Sequence, residues 1–145
     1  MSVLTFSEVQ LNDKLVDVYS VLKELRTDLS FDDFIKTFQA ATQNNGYKMV
    51  SLNDERGHVL GLMGYRILFD FVHGKHIYID DLVITEAYRS KSLGQKLLDY
   101  AENHARQLEC AGMRLCTGKD NERGSKFYTQ NNWDMRAVVF KKKLV

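Results

Sequence analysis

Apolar positions along the chain change their period twice, and those changes mark out its elements. Leu11, Leu15, Val18, Leu22 and Leu25 recur at helical spacing, which predicts a helix over about residues 12–26 with Asn12 or Asp13 as its cap. Ser30 followed by Asp32 and Asp33 predicts a second helix start, with Phe34, Ile35 and Phe38 as the apolar stripe and an end near Asn44, Asn45 and Gly46. The pattern then becomes that of strands. YKMVSLN and VLGLMGYRILF, separated by NDERGH, predict a hairpin, and a second turn near residues 70–75 leads into the strand HIYIDDLVI. Leu93, Leu97, Ala101, Ala105 and Leu108 restore the helical stripe from about Ser92 to Ala111 and Gly112. MRLCT reads as a short strand, NERGSKFYTQNN as a short helix, and WDMRAVVFKKKL as one or two closing strands. With VLTFSEV as an opening strand, the order predicts a layered α/β (α+β) structure around one sheet.

Composition narrows the function classes. A chain of 145 residues can form one domain with a real core and is short for two, so 1–145 is read as a single domain. The net charge of +1 gives no global attraction to nucleic acid or an anionic membrane surface, so any anion site has to be local. No apolar run approaches the length that spans a bilayer, no secretory-type leader is legible, and Cys110 and Cys116 lack metal-ligand spacing. These features together point to a reduced, cytoplasmic protein. His58, His73, His76 and His104 are not spaced as a metal site either, so no metal is expected.

A local anion site is written into Arg89-Ser90-Lys91-Ser92-Leu93-Gly94-Gln95, a basic loop that runs directly into a helix. The first backbone N–H groups of a helix have no intrahelical acceptor and sit at its positive end, which suits a phosphate. The segment lacks the Gly-Lys-Ser/Thr ending of a nucleotide P-loop and the three spaced glycines of a dinucleotide fingerprint. Taken alone it reads equally as a solvated loop capping a helix.

Following the strand DDLVI and the connection TEAY, this loop resembles the coenzyme A pyrophosphate loop of the GNAT family of N-acetyltransferases, Arg/Gln-x-x-Gly-x-Gly/Ala. It departs from that pattern at Ser92, where glycine is usual. Serine there either costs affinity or lends its hydroxyl to a phosphate oxygen. A second segment, Asn121-Glu122-Arg123-Gly124-Ser125-Lys126-Phe127-Tyr128, resembles the family's Asn-x-x-Ala-x-x-x-Tyr, and the two motifs stand in the family's order and separation.

The resemblance implies a GNAT-like fold: a mixed, mostly antiparallel twisted sheet of about six to seven strands flanked by about four helices. It implies acetyl-CoA as acyl donor, a primary amine of a small molecule or peptide as acceptor, direct attack in a ternary complex and, through the apolar WDMRAVVF segment, a homodimer. The implied coenzyme-binding residues are Leu82, Val83 and Ile84, then Arg89, Ser90, Lys91, Ser92, Leu93, Gly94 and Gln95, and finally Asn121, Ser125 and Tyr128. Backbone N–H groups near Leu82 to Ile84 would serve the oxyanion, and the Tyr128 phenol would protonate the departing thiolate.

The amine must lose a proton before it attacks, which calls for a base or a water path. Strand alternation puts Asp80 and Asp81 on opposite faces. Asp80, at a position where some family members carry a glutamate, is the candidate base; it could equally pair with Arg66, and His76 or water are the alternatives. Glu24, Asp28, Asp32 and Asp33 either attract a cationic amine or complement helix ends. The rival to an enzyme is a coenzyme A-binding sensor or interaction module without turnover.

Overall fold

A computed structural model describes residues 3–145. The elements are β1 (Thr5–Glu8), α1 (Val16–Leu25), α2 (Phe31–Asn45), β2 (Lys48–Asn53), β3 (Val59–Asp70), β4 (Gly74–Ile84), α3 (Leu93–Gln107), β5 (Gly112–Leu115) and α4 (Glu122–Gln130). A single 3-10 turn, Glu86–Tyr88, leads from β4 towards α3. The chain forms two compact units, one reaching Arg114 and the other running Leu115–Val145.

The helices form where the pattern predicts, for the reasons it predicts. At α2 the Ser30 hydroxyl accepts the Asp33 N–H at 3.1 Å, Asp32 and Asp33 occupy the positive first turn, and Gly46 closes the helix in the left-handed conformation. The start of α1 differs. Asp13 spends its carboxylate on the Gln10 N–H at 2.8 Å, so helix begins only at Val16, after Leu15 and without a side-chain cap. α3 opens at Leu93 and buries Leu93, Leu97, Ala101 and Ala105 of its predicted stripe together with Leu98, while Leu108, the last stripe position, falls at the helix end and is only partly buried.

Five strands form one sheet in the order β1-β2-β3-β4-β5, with β1 to β4 paired antiparallel in succession. Val18, Leu22, Phe34 and Phe38 pack with Met49, Leu62 and Val83, which places α1 and α2 on one face. On β3 the residue next to Leu62 is Gly61, and a side chain built there would run into Leu97, so α3 covers the opposite face.

The register shifts at Leu52/Asn53 between β2 and β3 and again between β3 and β4. Gly64 pairs with Asp81 but Tyr65 pairs with Ile79, leaving Asp80 as the extra residue of a β-bulge. The bulge overturns the opposite-face expectation for Asp80 and Asp81: both carboxylates border the same cavity on the α1–α2 side. Strict alternation fails there because the inserted residue gives the strand two successive side chains on one face.

The sheet also has fewer strands than the resemblance implies. Among the described residues no strand follows α4, and Met135, Val138, Val139 and Phe140 of the predicted closing strands are exposed. A β-type pattern makes a strand only where a neighbouring edge accepts its backbone bonds, and residues 133–145 have none in the described sheet.

Gly64 is the position where the bulge leaves no room, because a methyl group there would overlap the Tyr47 ring and hydroxyl. Gly64→Ala is expected to destabilise the fold by about 2 kcal/mol, the usual cost of overpacking, and to lower Tm by several degrees. Thermal denaturation with an unchanged midpoint would show that Tyr47 swings aside freely.

Candidate active site

The loop between β4 and α3 is held in an unusual backbone conformation. Ser90 (φ 64°) and Ser92 (φ 63°) both lie in the left-handed region, which disfavours side-chain-bearing residues by about 1 kcal/mol each. Ser92 is the residue preceding α3, and its hydroxyl does not cap the helix. The left-handed φ explains why glycine suits this place: the geometry is that of glycine although the residue is serine. The first-turn N–H groups of α3, from Leu93 to Gln95, therefore keep their capacity to bind an anion.

Arg89 does not simply project into solvent. Its Nε donates to the Ile84 carbonyl at 2.9 Å and its Nη2 to Glu24 Oε1 at 3.2 Å. Glu24 also accepts the Thr85 hydroxyl at 2.6 Å and the Glu86 N–H at 2.9 Å. Glu24 thus takes a role that neither expectation named: it ties the root of the loop to α1. Lys91 lies with Nζ 5.1 Å from the centre of the Tyr88 ring, and Gln95 donates to Asp99 one turn along α3 at 2.8 Å.

Leu82, Val83 and Ile84 end β4, paired on one side with Met63, Leu62 and Gly61 of β3. On the other side β5 starts close to Lys75, where the Ala111 N–H bonds the Lys75 carbonyl at 2.7 Å. Four strand residues reach about 13 Å, whereas Leu82 lies about 23 Å along the strand from Lys75. The backbone of 82–84 is thus beyond what β5 can pair.

The cavity of about 450 Å³ below the bulge is bounded by α1, α2 and strands β2 to β4. Arg66 grips Asp80 with a two-pronged fork, Nη2 to Oδ1 at 2.8 Å and Nε to Oδ2 at 2.9 Å, the pairing that the sequence left open. Asp81 takes Arg26 Nη2 on Oδ1 at 2.8 Å and the Tyr47 hydroxyl on Oδ2 at 2.7 Å. Arg26 also donates to the Asp80 carbonyl at 2.9 Å. Bonding to Asp80 raises the Arg66 guanidinium further, so it is a permanent cation. Burial, followed by the neighbouring Asp81 charge, pushes the Tyr47 phenol well above its ordinary value. Sequence reasoning missed Arg26 and Tyr47, which approach the bulge from distant elements and carry no local motif.

His76, the alternative base, is a core histidine at the far end of β4. It is 1% exposed, its Nδ1 donates to the Gly74 carbonyl at 2.9 Å, and its Nε2 accepts from Arg114 Nε at 2.9 Å. Asp70, His73 and His76 nonetheless come together across the turn, with ligand atoms within 4.8 Å, a grouping that linear spacing did not suggest. Arg114 Nη2 lies 3.8 Å from Asp70, so a guanidinium already supplies positive charge to that cluster.

In the second unit Asn121 caps α4. Its Oδ1 accepts the Gly124 N–H at 3.0 Å and its Nδ2 donates to the Thr117 hydroxyl at 3.0 Å. Gly124 is required by this cap, because a Cβ there would press on the Asn121 amide and on Thr117. Ser125 follows one turn behind, and Tyr128 stacks edge-on with Trp133 at 5.8 Å. Burial raises the Tyr128 phenol above its ordinary value, which keeps it protonated at neutral pH.

The sequence profile of the acetyltransferase (GNAT) family matches residues 11–133. The chain belongs to the GNAT family. An uncharacterised N-acetyltransferase of Bacillus subtilis, YhdJ, is 28% identical over 131 residues, covering 90% of this chain and 92% of the relative. The aminoalkylphosphonate N-acetyltransferase of Salmonella typhimurium is also 28% identical over 131 residues, covering 88% of this chain and 83% of its own. Among solved structures, aminoglycoside N-acetyltransferase AAC(6')-Iy in complex with CoA superposes with a TM-score of 0.83 at 15% identity, covering 99% of this chain and 96% of that one. At that identity the likeness is one of fold. The GNAT architecture expected from the two motifs is present, on five strands in place of six or seven.

The buried phenols of this GNAT chain generate a pH expectation. A tyrosine whose folded pKa is raised contributes full stability below its unfolded value near 10 and loses that contribution as pH rises through the folded value. Tyr47 lies well above 10 and Tyr65 is pushed up to about 12 by burial, so stability should fall above pH 10. Each such group adds a slope of about 1.4 kcal/mol per pH unit. Tyr47→Phe should shed one proton's worth of that slope in denaturant titrations between pH 10 and 11.5; identical slopes would show that Tyr47 ionises as freely folded as unfolded.

Proposed function

We propose that this chain transfers the acetyl group of acetyl-CoA to a primary amine of a small molecule, by direct attack in a ternary complex. The observation that carries the reading is the sharing of β4: its bulge supplies Asp80 to a cavity, its end carries an edge beyond the reach of β5, and the uncapped start of α3 follows directly. The family supports acyl transfer, and a cavity of about 450 Å³ suits a small acceptor better than a peptide. The Salmonella relative, by its name, acetylates a small amine.

In this reading the N–H groups of Ser90 to Gln95, with Arg89 and Lys91 near them, hold the pyrophosphate. Backbone N–H groups among Leu82, Val83 and Ile84 receive the thioester oxygen as it becomes an oxyanion. Asp80, oriented by Arg66, takes the amine proton directly or through water. The amine nitrogen bonds to the acyl carbon, the carbon–sulfur bond breaks, and Tyr128 gives its phenolic proton to the thiolate. Asn121 and Ser125 contact the coenzyme, and Asn121 also caps the helix that carries Tyr128. One domain over 1–145, in the cytoplasm, is part of the same proposal; the family match spans both compact units.

A coenzyme A-binding module without turnover is the second reading, and the Arg66 fork that occupies Asp80 is the observation on its side. Two measurements separate them. Millimolar acetyl-CoA should raise Tm by several degrees under either reading, through RT ln(1 + [L]/Kd), and no shift sinks both. Only an enzyme releases thiol when amines are added. Tyr128→Phe should then keep the acetyl-CoA shift and lose roughly 10²-fold in kcat; unchanged kcat would remove the phenol from the mechanism.

The proposal extends to a homodimer in which the exposed apolar residues Met135, Val138 and Phe140 are covered by a second copy. Light scattering should give twice the chain mass at micromolar concentration, and a monomer at high micromolar concentration would refute it.

A further inference from the structure

Resting on the acetyl-transfer reading, we infer that the acceptor is a zwitterion: a small primary amine that carries a carboxylate or phosphonate on an apolar body. The first ground is the charge inventory of the cavity. Its ionised walls are Arg26, Arg66, Asp80 and Asp81, two cations and two anions already joined in pairs. A polyamine entering this space meets both guanidiniums with no carboxylate in excess, and its remaining ammonium groups gain nothing for the water they lose. A zwitterion adds no net charge, and each of its ends finds an opposite partner already oriented.

The second ground is the geometry of the guanidiniums. A guanidinium carries five N–H donors in a planar fork. Arg66 engages Asp80 through Nε and Nη2, and Arg26 engages Asp81 through the same two nitrogens. Arg66 therefore keeps its Nη1–Nη2 edge, which presents parallel donors to any group with two acidic oxygens, while Arg26, whose Nη2 also bonds the Asp80 carbonyl, keeps Nη1 as a single further donor group. The Arg66 side chain is 28% and the Arg26 side chain 49% exposed, so a ligand can reach both. Arg26 also bonds the Asp80 carbonyl, which ties the anion end of the cavity to the strand residue proposed to take the amine proton.

The third ground is the remaining wall. Leu22, Leu29, Phe34, Phe38 and Met49 make most of it apolar, with Thr37, Asn45 and Tyr47 as its polar members. This wall suits the side chain of an apolar amino acid or its phosphonate counterpart and gives an aminoglycoside, with its many hydroxyls, few hydrogen-bond partners.

The test is a set of matched acceptors measured by thiol release with the full-length protein and acetyl-CoA: phenylalanine, its phosphonate analogue, phenylalanine methyl ester and spermidine. The acid-bearing amines should exceed the ester in kcat/KM by about tenfold or more, as an orienting charge-assisted pair implies, and spermidine should be poorest. Arg66→Gln and Arg26→Gln should bring the acid-to-ester ratio towards one. The ratio is the decisive readout, because a general loss of structure lowers both substrates together. A dominant phosphonate or a dominant carboxylate identifies which acid is recognised. An ester or spermidine that matches the acids, or a ratio unmoved in both arginine variants, overturns the inference while leaving acetyl transfer standing. No thiol release with any amine, together with no acetyl-CoA shift in Tm, would instead overturn the acetyl-transfer reading on which it rests.

Discussion

Two carboxylates on one face of a strand repel each other, and at a partly buried site unit charges about 4 Å apart interact by a few kcal/mol. The β-bulge at Asp80 creates that situation, and the surrounding structure answers it by supplying each carboxylate with its own cation. Arg66 comes from the adjacent strand β3 and Arg26 from the end of α1. The Tyr47 hydroxyl completes Asp81, and Gly64 makes room for the Tyr47 ring. Removing any one of these groups leaves a charge or a polar atom without its partner, which costs more than the pair itself contributes.

The same strand also leads into the loop before α3. A second set of polar bonds, centred on Glu24, holds Thr85, Glu86 and Arg89 so that the chain turns out of the sheet and enters α3 with two serines in the left-handed region. Glu24 and Arg26 lie two residues apart near the end of α1. One secures the phosphate-type loop and the other the carboxylate pair, so a shift of α1 would disturb both sites together.

In the proposed reading, paired charges in a largely apolar wall are what would make the cavity selective. Isolated ions would have to be desolvated at several kcal/mol each, whereas groups already paired and hydrogen-bonded have met that cost during folding. A preorganised arrangement of this kind discriminates by charge pattern as much as by shape, since a mismatched ligand leaves a buried partner unsatisfied.

Helix periodicity, the Ser30 cap, the Gly46 stop and the two family motifs are all local in sequence, and each was legible because its physics acts within a few residues. The loop at Arg89 to Gln95 was legible for the same reason, as was Arg66 as an alternative partner for Asp80. Other features depended on contacts between distant segments. The bulge arises from pairing between β3 and β4, so alternation read along β4 alone assigned Asp80 and Asp81 to opposite faces. Arg26 reaches Asp81 across 55 residues and Tyr47 reaches it across 34, with nothing in either local sequence to announce the meeting. The alternating apolar segment after Trp133 carries strand propensity but has no strand neighbour in the described sheet, because propensity is local and hydrogen-bond partners are not. The sequence by itself therefore determined the helices, the first five strands and the loop; only the tertiary structure decided which edge accepts a strand and which charges share a cavity, since both follow from register and packing.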